Sequence, residues 1–361
     1  MIPTNPHIAI VFNSFSFDAK NRKFIETDPI AFDSFTDNAG LFKQVTVQLT
    51  TNLASEALVR VFDPSYDFLE QFLSGDGVPL RSMRVWLGFG NDMGESVFKG
   101  LLARVERNET DTTLRAYDMG YVMRLQKHTE YHKGLDGIGI IKKLAERNGL
   151  KFVGTDKPIH LPKHNSYIHD AKTDWELASE IAEEIGVVLY VRGDTLFAKE
   201  PARTDKDNTV LSIVNREDER LLRQFDFSYK LPENTQGRPA VVEFRGRRHR
   251  GKRLVGRSEE SARGTKDILI KHDLPIHSKG YANRVAHAKK ELQREHAFSC
   301  TLRRIPDLAE AQTRPDARDT IQLLNFGKLF SGHYICDSVT HDFTPGSFST
   351  EYNLYRDIDV P

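Results

Sequence analysis

The sequence predicts an α+β chain, mostly β, in which two β-rich regions flank a small α/β unit. Three observations point there. Apolar residues alternate with polar ones over short segments before residue 124 and again after residue 207. Between them lie two stretches with the three- and four-residue apolar spacing of helices. Each of those stretches ends at a glycine and runs on into a β-forming segment.

Residues 1–124 read as the first β-rich domain. Val45, Val47 and Leu49 alternate with Thr46, Gln48 and Thr50. Met83, Val85, Leu87 and Phe89 do the same, and residues 97–105 and 114–117 add shorter strands. One helix interrupts them, from Pro64 through Tyr66, Phe68, Leu69, Phe72 and Leu73 to a Ser-Gly-Asp-Gly stop. The phenylalanines between Phe12 and Phe35 read as core and edge packing.

Residues 125–206 read as the α/β domain. Ile138, Ile141, Leu144 and Ala145 stripe a first helix. Thr173 and Glu176 stand in capping-box spacing at the start of a second helix. Trp175, Ala178, Ile181, Ala182 and Ile185 give that helix its stripe, and Gly186 stops it. Residues 144–152 line up with residues 181–189, so the unit holds two helix–strand pairs. Arg192-Gly193-Asp194 reads as a hairpin turn, not as an adhesion motif. Glu176, Glu180, Glu183 and Glu184 read as a solvated acidic face. Residues 204–208 form a polar link.

Residues 207–361 read as the second β-rich domain, with strands at Val241–Arg245, Phe298–Leu302 and Ile321–Leu323, and a helix over 281–295. Residues 332–357 read as three strands, two of them joined by the turn Thr344-Pro345-Gly346-Ser347.

The chain has 361 residues, enough for two or three domains. It is 39% hydrophobic and 28% charged with zero net charge, so no global bias toward nucleic acid or anionic membrane exists. No apolar run approaches a membrane span, and the N-terminus lacks a signal-peptide pattern. Cys300 and Cys336 fall in predicted strands and read as buried free thiols; a disulfide is not demanded.

No phosphate-binding glycine loop, nucleophile elbow or Cys-x-x-Cys pair occurs, and no catalytic, cofactor-binding or metal residue is assigned. His128 and His132 have a spacing that could put two ligands on one helix face, and His160, His164 and His169 cluster. Neither group has the accompanying ligands of known sites, so turn and surface histidines are the reading. The strongest charge signal is FRGRRHRGKR, with Arg245, Arg247, Arg248, Arg250, Lys252 and Arg253. One reading is a nucleic-acid or phosphate patch. The other is a basic hairpin tip, solvated or in contact with an acidic protein; zero net charge and the lack of interleaved aromatics favour it.

The order of these features resembles the baseplate hub proteins of contractile phage tails, the late control D family. They are related to the N-terminal hub part of type VI secretion hub–spike proteins. TDWELASEIAEEIGVVLYVRGDTLFAKE (173–200) looks like the family's central signature. FKGLLARVE (98–106) resembles the strand pair closing its first barrel, and AYDMGYVMRL (116–125) the link after it. GHYICDSVTHDFTPGSFSTEYNLY (332–355) resembles its last hairpin. Residues 303–323 keep Pro306 but lack the glycines the family often has there.

The resemblance implies two tail-tube-like β-barrel domains flanking the α/β domain. It implies a homotrimer that adapts a sixfold tail tube to a threefold spike and lines the central channel. It implies a structural, non-enzymatic part of a virion tail baseplate, assembled in the bacterial host cytoplasm, with no cofactor. Expected partners are a separate spike protein, the tail tube or its initiator, the tape-measure protein and baseplate wedge proteins. DNA would pass through the channel without specific binding. The alternatives are a nucleic-acid-binding protein using Arg245–Arg253, or a cell-wall-degrading tail enzyme.

Overall fold

The computed structural model describes residues 6–18, 23–34, 41–51, 54–73, 81–89, 96–155, 167–200, 206–215, 221–229, 243–247, 253–257, 283, 298–306, 310 and 313–356. The chain is mostly β, as its alternation predicts.

The first region supplies β1 (Pro6–Asp18), β2 (Lys23–Asp33), β3 (Phe42–Thr50), β4 (Glu56–Phe62), β5 (Arg81–Phe89), β6 (Phe98–Arg107) and β7 (Asp111–Asp118). They pair antiparallel in the order β3-β4-β7-β6-β5-β1-β2. Alternation decides which face is buried: Val45, Val47, Met83, Val85 and Leu87 all sit in one apolar core with Phe12 and Phe32. The α-helix described in this region, α1 (Asp67–Leu73), starts later than the sequence suggests. Asp63 sets that start, because its carboxylate accepts the Phe68 and Leu69 amides at 3.0 and 3.2 Å.

A 3-10 helix (Met119–Arg124) leads into the middle region. There follow β8 (Lys127–His132), α2 (Gly137–Arg147), β9 (Lys151–Val153), β10 (Tyr167–Thr173), α3 (Asp174–Ile185), β11 (Val188–Arg192) and β12 (Thr195–Lys199). The helix–strand repeat is real at the level of single bonds. Gly149 and Gly186 end the two helices at φ 77° and 74°. Just beyond them, the Leu150 amide donates to Ala145 O at 3.0 Å and the Val187 amide to Ala182 O at 2.9 Å. The capping box of α3 is present in both directions. The stripes of α2 and α3 share one core, which Ile140 joins as well. Phe15 and Leu101 of the first region lie in that same core.

The last region holds β13 (Thr209–Val214), β14 (Leu222–Tyr229), β15 (Glu243–Arg247), β16 (Arg253–Arg257), β17 (Phe298–Arg304), β18 (Thr320–Leu324), α4 (Gly327–Phe330), β19 (Gly332–Thr344) and β20 (Ser347–Arg356). The expected helix over 281–295 lies outside the described residues, apart from Asn283. The expected three strands at the end are two. β19 runs unbroken for 13 residues, because a register shift between Cys336 and Ser338 absorbs the irregularity that reads as a break. The predicted turn closes it, with Thr344 paired to Ser347.

The two β-rich regions form one sheet. β19 pairs with β20 and β18 in its own region and with β3 in the first, from Ser338 opposite Thr50 to Phe343 opposite Val45. The sheet has 13 strands, with the path β14-β17-β20-β19-β3 continuing into the first region. Phe343 and Phe348 cross the seam into the first core, and Leu49 packs against the last one. Cys300 and Cys336 are free and buried, as the sequence suggests, and burial pushes the Cys300 thiol up to about 12. No helix among the described residues is long and apolar enough to cross a membrane.

Candidate functional site: the cleft where three regions meet

The turn between β11 and β12 brings the three regions together. Arg192 pairs with Thr195, so Gly193 and Asp194 form a two-residue loop, with Gly193 at φ 54°. The two charged residues of the turn face different regions. Asp194 takes the Lys99 ammonium of β6 at 2.7 Å, and Lys99 lies 3.4 Å from Glu26 of β2. Glu26 in turn pairs with Arg84 of β5. Arg192 reaches the last region instead. Its Nε lies 2.7 Å from the Asp316 carboxylate, and its Nη2 donates to Ala317 O at 2.9 Å and approaches Asp319 at 3.3 Å.

The loop that Arg192 grips is held at other points too. Arg318 donates to Glu200 O at 2.6 Å and stands 5.0 Å from the Tyr190 ring centre. Tyr190 itself stacks on Phe197 at 4.9 Å. Arg314 and Arg318 both have positive φ, 47° and 78°. Such a backbone costs on the order of 1–3 kcal/mol per residue and persists only where its surroundings fix it. Burial pushes the Asp316 carboxyl up, while Arg192 pulls it back toward the ionised form.

A cleft of about 540 Å³ lies at this junction, with Thr50, Phe98, Lys99, Arg192, Asp319 and His341 among its lining. Two buried titratable groups border it. His341 of β19 shares a hydrogen bond of 3.0 Å with the Thr350 hydroxyl, and burial, reinforced by Arg314, lowers its pKa to about 4. Asp118 ends β7 and caps the 3-10 helix, accepting the Ser55 and Gly120 amides at 2.6 and 2.9 Å. Burial raises it to about 6 against those two bonds. Lys99, Arg192, Asp194, Asp316 and Asp319 each have their charge engaged by another part of the chain. The arrangement is a joint held by ion pairs.

The predicted site residues are scattered. Arg245 and Arg247 lie on β15 and Arg253 on β16; Arg248, Arg250 and Lys252 lie outside the described residues. His160 and His164 also lie outside them, and His169 lies on β10. His128 and His132 lie on a strand, not a helix. His132 is buried, a correction to its reading as a surface histidine; it sits 4.0 Å from Glu130, and His128 sits 3.9 Å from Asp174. Those carboxylates also pair with Arg147, which binds Glu130 at 2.6 Å and Asp174 at 2.5 Å. Among the described residues no group of three or more His, Cys, Asp or Glu could hold a metal ion. Sequence reasoning missed Lys99, Asp316 and Asp319 altogether. The only signal was the charged turn itself, whose partners lie 95 to 127 positions away.

Comparison with known proteins gives a fold. The family model described as the Alg8 N-terminal domain matches residues 34–214, half of the chain, and by that match the chain belongs to that family. The matched span opens just after β2 and closes at the end of β13, so it cuts across all three regions. That family is unrelated to the tail proteins that follow, and its description brings no activity to this chain. No curated protein matches the sequence. Among solved structures, a tail protein from Neisseria meningitidis MC58 matches at TM-score 0.63 and 15% identity, covering 97% of both chains. The 43 kDa tail protein of prophage MuSo2 from Shewanella oneidensis matches at 0.61 and 9%, covering 97% of this chain and 98% of that one. The E. coli c3393 protein, described as a type VI secretion component similar to T4 phage tail proteins, matches at 0.56 and 7%. It is covered over 74% of its length by 88% of this chain. The fold is therefore one shared with these phage tail proteins and with the type VI secretion component.

Proposed function

We propose that this chain is the structural hub of a contractile tail baseplate or a related injection device. Three copies form a ring that meets a sixfold tube on one side and a threefold spike on the other. The observation that carries this reading is the sheet shared by two β-rich regions of one chain, in a fold that tail proteins share over nearly its whole length. Two tube-like units per chain in a threefold ring offer six to the tube and three to the spike. Joining strand edges between copies would also cover edges that otherwise invite aggregation.

The chain carries out no chemistry in this reading and needs no cofactor. Its partners are further copies of itself, a separate spike protein, the tube or its initiator, the tape-measure protein and baseplate wedge proteins. DNA passes through the channel, and the place of action is the virion tail baseplate. The arginine-rich segment Arg245–Arg253 serves as an interaction loop. Replacing its arginines by serine is expected to impair assembly and infectivity; unchanged behaviour in both would remove that role.

Light scattering on the chain, alone and with a candidate spike protein, tests the central reading. A threefold mass, or one that forms only with the spike, is expected. A monomer indifferent to the spike would overturn it.

A further inference from the structure

The 3-10 helix Met119–Arg124 ends in a charge that the described residues leave unanswered. Gly120 lets this helix press onto α3, since a Cβ there would meet Trp175 Cζ3 at 3.1 Å and Asp118 Oδ1 at 2.9 Å. The Arg124 guanidinium then lies over the Trp175 ring, 4.5 Å from its centre, with Nε sealed from solvent. Among the described residues no oxygen accepts a hydrogen bond from it and no carboxylate stands within ion-pair distance. Asp118 attracts it only at longer range, and the two oxygens of Asp118 already accept the Ser55 and Gly120 amides.

Arginine carries five donors and keeps its proton. Taking it partly out of water without a partner is unfavourable, and burial lowers its pKa accordingly. The tryptophan face offsets part of that penalty. An apolar side chain of similar length would cover Trp175 without incurring it. The fold alone therefore gives no reason for a charge at this place.

The surroundings fit a protein partner. Side chains at i and i+3 eclipse in a 3-10 helix, so Tyr121 shares the face of Arg124. Its ring lies 5.4 Å from that of Tyr117. Tryptophan, tyrosine and arginine are the residues that dominate interface hot spots, and the adjoining Leu125 is 48% exposed. Arg115, which contacts Tyr117, is already held by Glu56 at 2.9 Å. One uncommitted positive charge matches one carboxylate, whereas a phosphate dianion calls for a second.

We propose that Arg124, backed by Trp175 and flanked by Tyr121, is the docking point for an acidic side chain of a different protein in the assembled tail. This deepens the hub reading and rests on it for the place where the partner is met.

Two variants of the full chain test it. For Arg124→Met in isolation the thermal midpoint is expected to hold or to rise by up to about 3 °C. The yield of tails assembled with that variant is expected to fall about tenfold or more. A merely structural arginine would lower the midpoint instead. In tails assembled with Arg124→Lys, a water-soluble carbodiimide, which joins an amine only to a carboxylate in contact with it, is expected to couple position 124 to an Asp or Glu of another protein, read by peptide mass spectrometry. A lowered midpoint for Arg124→Met, an unimpaired yield, no coupling, or coupling only to a second copy of this chain would each overturn the proposal. Tails from which the chain itself is absent would overturn the hub reading, and this proposal with it.

Discussion

Arg192 is the residue on which two regions of the molecule depend. Replacing it by alanine leaves the Asp316 carboxylate without its counter-charge and Ala317 O without a donor. The expected cost is about 1–2 kcal/mol, since the group is partly exposed. A double-mutant cycle with Asp316→Ala, read by urea unfolding, should return a coupling of at least about 0.5 kcal/mol; additive effects would show that the contact does not act. His341 and Asp118 make opposing contributions to pH dependence. His341 titrates near 4 when folded against 6.5 as its ordinary value, so the unfolded chain binds the extra proton and stability falls as pH drops from 6.5 to 4. Asp118 titrates near 6 against 3.8, so the folded chain binds the extra proton and stability rises as pH drops from 6 to 3.8. His341→Gln removes the first effect only. Relative to the parent, its urea midpoint should gain on going from pH 6.5 to pH 4.5; a parallel pair of profiles would contradict the assignment. None of this was legible in the sequence, because Arg192 and Asp118 look like ordinary turn and strand-end residues until the chain folds.

Elements were legible in proportion to how local their causes are. Helix α3 announces itself within 14 residues: Thr173 and Glu176 cap it, a stripe buries it and Gly186 ends it. Thr173→Ala should cost about 1 kcal/mol. Gly186→Ala should cost about 1–2 kcal/mol, because the left-handed backbone there strains any Cβ. Thermal melting checks both, and a neutral Gly186→Ala would mean that the helix can end differently. The alternating strands of β3 and β5 were visible for the same reason. By contrast, β8 and β10 escaped, since KHTEYH and YIHDAKT lack an apolar alternation and, among the described residues, pair with each other. The length of β19 escaped too, because a bulge hides the continuity of a strand from any period-two reading.

At the scale of the whole molecule, the decisive fact is the β3–β19 ladder, which no local pattern could announce. It joins residues whose partners along the chain lie at opposite ends, as with Gln44 and Asp342, linked by a 3.0 Å hydrogen bond across 298 positions. Composition and segment order gave the class of fold; the ladder decides that its two β-rich regions share one sheet. The two should therefore unfold together. Amide exchange is expected to show Val45–Thr50 and Ser338–Phe343 among the slowest sites, with matching opening free energies. Clearly different values would separate the regions into independent units. The middle region is attached to the first by an apolar core together with the Lys99–Asp194 ion pair, and to the last chiefly by the contacts of Arg192 with Asp316 and Asp319. High salt should loosen the second attachment more than the first, since exposed charges are screened and apolar packing is not.

That ladder also sets a timetable for synthesis. The ribosome makes Asp342 of β19 298 residues after Gln44 of β3, and at about 5–20 residues per second the wait is roughly 15–60 s. Throughout it the nascent chain carries β3 with one edge unclosed. A message truncated before codon 338 would release a product whose exposed edge is permanent, ready to pair with any neighbour.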